Sequence, residues 1–147
     1  MSHHCQALIL HCMDFRLSGA IKEYMAQNGL INNCDVVSLA GAAKNIVSPL
    51  SESDADLTLR QIDISKRLHN ISEVILMNHT DCGAYGGRAA FASDEEEARQ
   101  HLADMDLAAE KIVAKFPELK VRIVLAKIDP EGKISFEERG YFSLPSA

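Results

Sequence analysis

Clustered positive charge is missing from this sequence: 15 Lys and Arg are dispersed among 21 Asp and Glu, for a net charge of −6. Nucleic-acid backbones and anionic membrane surfaces are bound by concentrated Lys and Arg, so neither is expected as a partner, and a small-molecule substrate fits better. Long apolar runs are missing too. Stretches such as Val74-Ile75-Leu76-Met77 stop far short of the roughly 20 residues of a membrane span. The chain opens on Ser2-His3-His4 rather than the charged-then-apolar pattern of a secretory signal, and a cytoplasmic location is expected. Low-complexity tracts and internal repeats are also lacking. Cysteine is sparse, at 4 residues, and in an intracellular chain of this size cysteines more often serve metal binding or catalysis than disulfides.

What is present suffices for one core. A chain of 147 residues that is 47% hydrophobic buries roughly two thirds of its unfolded surface, and residues 1–147 are expected to form a single domain. Residues 6–12 form a short apolar run of the kind that makes a doubly covered strand. Ser18 is placed to cap a following helix with Ile21, Tyr24 and Met25 on one face, closed by Asn28-Gly29. A second strand is expected over residues 35–40. A helix follows from Ser53 or Asp54 to about His69, with Leu57, Ile64 and Leu68 inward.

Residues 73–78 read as a third strand, apolar on both faces, from which the polar, glycine-rich segment 79–87 departs. Ser93 and Glu96 then make a capping box for a long helix in which Ala98, Leu102, Met105, Ala109, Ile112 and Phe116 recur at helical spacing. A fourth strand over residues 121–128 turns through Asp129-Pro130-Glu131-Gly132 into an antiparallel edge strand at residues 133–137. This alternation predicts an α/β fold: a mostly parallel sheet of four strands plus an antiparallel edge strand, with helices on both faces. Ligands of such sheets sit off the carboxyl ends of the strands, where connections diverge.

The first strand delivers Cys12 to that end, and the third delivers His79 and Cys82. Two thiolates and one imidazole suit zinc, and a catalytic zinc keeps three protein ligands with one position open. Against this stands a packing role, with the cysteines as small buried hydrophobes. Asp14 and Arg16 favour chemistry, because side chains two apart in an extended segment leave the same side and can pair. A phosphatase-type Cys/Arg cradle needs five intervening residues, and only three separate Cys12 from Arg16. Gly83-Ala84-Tyr85-Gly86-Gly87 lacks the Lys-Ser/Thr ending of a phosphate loop and is expected to be a flexible rim.

Cys12-Met13-Asp14-Phe15-Arg16, Ala40-Gly41 and His79-Thr80-Asp81-Cys82-Gly83 together resemble the C-x-D-x-R and H-x-x-C-G motifs of the β-class carbonic anhydrases, over residues 6–137. The resemblance implies a Zn2+ ion held by Cys12, His79 and Cys82, with Asp14 and Arg16 as catalytic residues. The implied reaction is the reversible hydration of carbon dioxide to bicarbonate by a zinc-bound hydroxide. Two thiolates donate more charge to zinc than imidazoles do, so activity should rise toward alkaline pH. Arg16 would hold Asp14 off the metal. A homodimer or higher homo-oligomer is implied, although the first strand begins almost at the chain start and leaves no room for the family's N-terminal helical extension. Phe15 stands where a small residue is common, and Ser38-Leu39 and Ala42 replace asparagines beside Ala40-Gly41. Relatives that hydrolyse carbonyl sulfide or carbon disulfide share the motif, and a non-catalytic zinc protein closed by Asp14 is the other alternative.

The remaining candidates have simpler expectations. Cys34 lies at the opposite end of the sheet and is expected to be filler, and Cys5 to be incidental. His3 and His4 belong to a solvated tail, and His11 is expected to pack. His69 and His101 are expected at the surface of helices, and the acidic run 94–97 as a solvated helix N-terminus. Asp81 and Tyr85 either line the pocket or stabilise the turn.

Overall fold

The computed structural model describes residues 3–144. Five strands, β1 (Ala7–His11), β2 (Cys34–Ser38), β3 (Glu73–His79), β4 (Lys120–Ile128) and β5 (Ile134–Tyr141), form one sheet in the order β2-β1-β3-β4-β5. The first four run parallel and β5 is antiparallel. The helices are α1 (Ser18–Gln27), a single turn α2 (Lys44–Val47), α3 (Glu52–His69) and α4 (Asp94–Lys115). The expected architecture is therefore present, with α2 as an unforeseen turn.

Strand periodicity divides the core. Leu8, Leu10, Val74, Leu76, Val121, Ile123 and Leu125 pack with the buried residues of α2, α3 and α4. Ala7, Ile9, Ile75, Met77, Val124 and Ala126 face the other way, toward Ile21 and Tyr24 of α1. All seven residues of β3 are buried, which explains why its central Val74-Ile75-Leu76-Met77 is apolar on both faces. From β1 the chain passes through α1 to β2 at one side. From β3 it passes through α4 to β4 at the other. The connections thus diverge between β1 and β3, and the crevice for a ligand lies at their carboxyl ends.

Three local expectations need correction. The inward face of α3 is Thr58, Ile62 and Ser65, while Leu57 and Leu68 are 45% and 61% exposed. Sequence periodicity follows the large side chains, whereas the two buried hydroxyls are satisfied by hydrogen bonds, Thr58 to the Asp54 carbonyl and Ser65 to the Asp35 carboxylate. Ser18 does not cap α1; it is the first helical residue, and its hydroxyl donates to the Phe15 carbonyl. Asp14 serves as the cap instead, accepting the Arg16 N–H in a 3-10 turn at Phe15–Leu17. Finally, β5 runs to Tyr141, past a bulge opposite Ile123 and Val124 where Gly140 takes a φ of 78°. The exposed, charged sequence of its second half hid this extension.

Candidate active site

Cys12 lies one residue beyond β1, His79 ends β3, and Cys82 follows three residues later. They are 5%, 1% and 2% exposed, and one donor atom from each lies within 4.8 Å of the others. The sequence expected these three to converge, and the pairing of β1 with β3 brings them together.

The His79 ring is fixed from behind. Its Nδ1 lies 2.7 Å from the Thr80 carbonyl; a carbonyl only accepts, so Nδ1 carries the proton and Nε2 turns to the sulfurs. Nε2 is buried and has no hydrogen-bond partner. An orphaned imidazole nitrogen beside two buried thiols is costly unless something electron-poor occupies the space between them. The Cys12 thiol is held well below its usual range, chiefly by donation from the Cys82 thiol and against the opposing effect of burial. Backbone N–H groups of Gly41 and Asp14 add to this. Cys82 is pushed up, because it keeps its proton beside that thiolate and is itself buried. Burial works against an imidazolium at His79, yet the Cys12 thiolate outweighs it and draws the pKa upward. The donor set thus already stabilises one thiolate, and a divalent cation would stabilise the second.

Gly41 permits this approach. It has a φ of 81°, and a Cβ there would come within 3.0 Å of the Ala84 Cβ and 3.2 Å of the Lys44 Cβ.

Asp14 and Arg16 form the pair the sequence suggested. Arg16 Nη2 donates to Asp14 Oδ2 at 2.7 Å and Nε to Oδ1 at 3.0 Å, a two-point clamp. The guanidinium beside it holds the Asp14 carboxyl down at about 2. Asp14 Oδ2 is 3.9 Å from His79 Nε2, so the carboxylate borders the trio without joining it. Arg16 also donates to the Asp81 side chain at 3.0 Å and to the Asp81 carbonyl at 2.9 Å. Asp81 therefore does more than brace a turn: it is the second jaw on Arg16. Its own N–H donates to Glu97 Oε2 at 2.7 Å, and its Oδ1 accepts the Arg88 N–H at 2.8 Å.

Glu97 and His101 are corrections. The acidic run is not wholly solvated, because Glu97 is 1% exposed, and His101 is 0% exposed. Both project from α4 onto the end of β3. Asn78 Oδ1 accepts the Ala43 N–H, so its Nδ2 donates to Tyr85 Oη at 3.1 Å and to His101 Nδ1 at 3.0 Å. His101 is therefore neutral, its pKa lowered to about 4 chiefly by burial. Tyr85 Oη donates to Asp104 at 2.7 Å. This network fastens the segment carrying Cys82 to α4. The expected flexible rim is in fact two consecutive 3-10 turns, Gly83–Tyr85 and Arg88–Ala90. No sequence signal pointed to Glu97 or His101, since each matches the polar positions of an amphipathic helix.

A cavity of about 330 Å³ opens beside Cys12 and Asp14, rimmed by Met13 and Phe15, which are 66% and 85% exposed. A larger groove of about 850 Å³ lies between α4 and the β4–β5 turn. Its lining interleaves Arg88, Arg99, Lys127 and Arg139 with acids and includes neither cysteine, whereas Cys12 and Asp14 line the smaller cavity.

Residues 2–134 match the family described as "Putative carbonic anhydrase", and the chain belongs to that family. An uncharacterised protein of Rickettsia conorii is 33% identical over 130 residues, spanning 86% of this chain and 70% of the relative. One from Rickettsia bellii is also 33% identical over 130 residues, spanning 86% and 79%. Among solved structures, a tetrameric β-carbonic anhydrase of the ascomycete Sordaria macrospora aligns with a TM-score of 0.59 at 17% identity, covering 92% of this chain and 81% of that one. The β-carbonic anhydrase CcaA aligns with a TM-score of 0.57 at 14% identity, covering 97% and 79%. At such identities the structural likeness establishes the shared fold. Among the described residues, no helix is long and apolar enough to cross a membrane.

Proposed function

We propose that this chain is a zinc-dependent carbonic anhydrase in which Cys12, His79 and Cys82 hold the metal and Asp14 and Arg16 serve the reaction. The observation that carries this reading is the buried, unpartnered His79 Nε2 facing two buried thiols. Two sulfurs and one nitrogen suit zinc by ligand softness, and three protein donors leave one position open. When bound, zinc would supply a Lewis acid that makes water a nucleophile near neutral pH.

The chain's own residues do the rest. Thr80 fixes the His79 tautomer, which keeps Nε2 available as a donor. The Asp14 carboxylate, held ionised by Arg16, would accept a hydrogen bond from the O–H of the attacking water and so orient it. Arg16 restrains Asp14 from turning onto the trio, and Asp81 restrains Arg16. Met13 and Phe15 give the entrance an apolar lip suited to a small, uncharged substrate. We include in the proposal that a second copy of the chain covers this lip, in keeping with the tetrameric Sordaria protein.

Stopped-flow hydration of carbon dioxide, read beside zinc content, tests the reading. A rate above buffer that vanishes with chelation and returns with zinc is expected. Zinc bound at the trio with no rate above buffer would instead indicate a non-catalytic metal protein.

A further inference from the structure

At the opposite end of the sheet the structure assembles a second set of metal-ligating side chains. Cys5, Asp35 and His69 each offer a donor atom, all within 4.8 Å of one another. We propose that they form a second divalent-metal site, independent of the carbonic anhydrase reading, that takes zinc or cobalt(II).

Three separate segments meet there and are pinned by backbone hydrogen bonds. The Cys5 N–H donates to the His69 carbonyl at 3.0 Å, and the Gln6 N–H to the Asn33 carbonyl at 3.1 Å. Asp35 is paired in register with Leu8, whose face of the sheet is the one covered by α3. Ser65 and His69, one helical turn apart, reach it from α3: the Ser65 hydroxyl donates to Asp35 Oδ2 at 2.5 Å, and His69 Nδ1 lies 2.6 Å from the same oxygen. Cys5 packs against this same face, whereas Cys34 packs on the other face and is no part of the set.

The donor chemistry is that of a borderline metal. One thiol, one imidazole and one carboxylate suit zinc, whereas calcium or magnesium takes oxygen ligands alone. Two anionic ligands would balance a divalent charge. The Asp35 carboxylate disfavours a bare Cys5 thiolate, after the larger effect of burial, and a cation between them reverses that repulsion. Binding replaces the hydrogen bond between His69 Nδ1 and Asp35 Oδ2, with the neutral imidazole keeping its proton on the nitrogen that does not ligate, and releases the thiol proton of Cys5 to solvent. All three residues are half-buried, so water can complete the coordination.

The test is metal stoichiometry of the full chain, stripped by chelator under reducing conditions and dialysed against buffered zinc. About two zinc ions per chain are expected for the parent and about one for Cys5→Ser or His69→Ala. Cobalt(II) gives an independent readout. In a Cys12→Ser/Cys82→Ser chain a thiolate-to-cobalt charge-transfer band should persist, and adding Cys5→Ser should remove it. Should that chain not fold, the single-variant stoichiometry decides. A parent whose single zinc is kept by Cys5→Ser and His69→Ala, two ions retained by both single variants, or loss of the second ion only when His3 and His4 are replaced would each overturn the site. None of these readouts depends on hydration activity, so a chain without that activity that still binds two ions would count against the carbonic anhydrase reading and not against this one.

Discussion

At the carboxyl end of the sheet Cys12, His79 and Cys82 are almost wholly buried, and His79 Nε2 has no partner. At the amino end Cys5, Asp35 and His69 are half-buried, and the imidazole and carboxylate bond each other directly. The difference is one of preorganisation. At the carboxyl end the three donors have been taken out of water, and His79 Nε2 is left unsatisfied although the Cys82 thiol bonds Cys12, so a cation gains coordination at little further desolvation. At the amino end a cation must first replace an existing hydrogen bond and displace solvent, so it should be the weaker and more exchangeable site. The carboxyl end also has the Asp14–Arg16–Asp81 clamp beside it, which the amino end lacks among the described residues.

The most severe break of this comparison removes a buried donor. His79→Ala or Cys82→Ser should abolish zinc binding at the carboxyl end and lower hydration by roughly a thousandfold or more, about 4 kcal/mol of barrier; stopped-flow rates with zinc analysis check this.

Next is the support behind that end. His101 has a folded pKa of about 4 against an ordinary 6.5. Between those pH values the unfolded chain binds the extra proton and the folded chain does not, so stability is lost as pH falls through the window. The loss should reach about 3 kcal/mol at its acid limit. Urea unfolding of parent and His101→Phe at several pH values should show the variant with the flatter profile; parallel profiles would contradict the assignment.

Arg16→Ala should retain zinc but lose on the order of a hundredfold in hydration, because Asp14 is freed to turn onto the donors. Coordination-shell spectroscopy should then show a carboxylate oxygen on the metal. Asp81→Asn, which loosens only the outer jaw, should cost about tenfold. The mildest effect belongs to the other end: Cys5→Ser should leave hydration within about twofold of the parent, as expected of a distant independent site.

Much of the carboxyl-end site is legible in the sequence. Cys12, Asp14 and Arg16 alternate just after an apolar run, and His79 and Cys82 leave the most apolar segment of the chain, so strand identity alone puts them at one end. The residues that hold them were not legible. Glu97 and His101 look like solvent-facing positions of a charged helix, and only the docking of α4 against β3 buries them. Asp81 was ambiguous because an aspartate after a strand serves a turn equally well, and its link to Arg16 spans 65 positions of sequence. The inward face of α3 differs for a related reason: hydrophobic periodicity marks large side chains, whereas the buried positions include the small, hydrogen-bonded Thr58 and Ser65.

The sequence by itself determined the alternation of strands and helices and the local motifs, because both depend on residues a few positions apart. Tertiary structure decided which strands are neighbours and hence which donors meet. It also placed Cys5 beside His69, residues that nothing in their local sequence connects. Local propensity acts over one or two turns of chain, whereas a binding site is made by packing between segments that chain order leaves far apart.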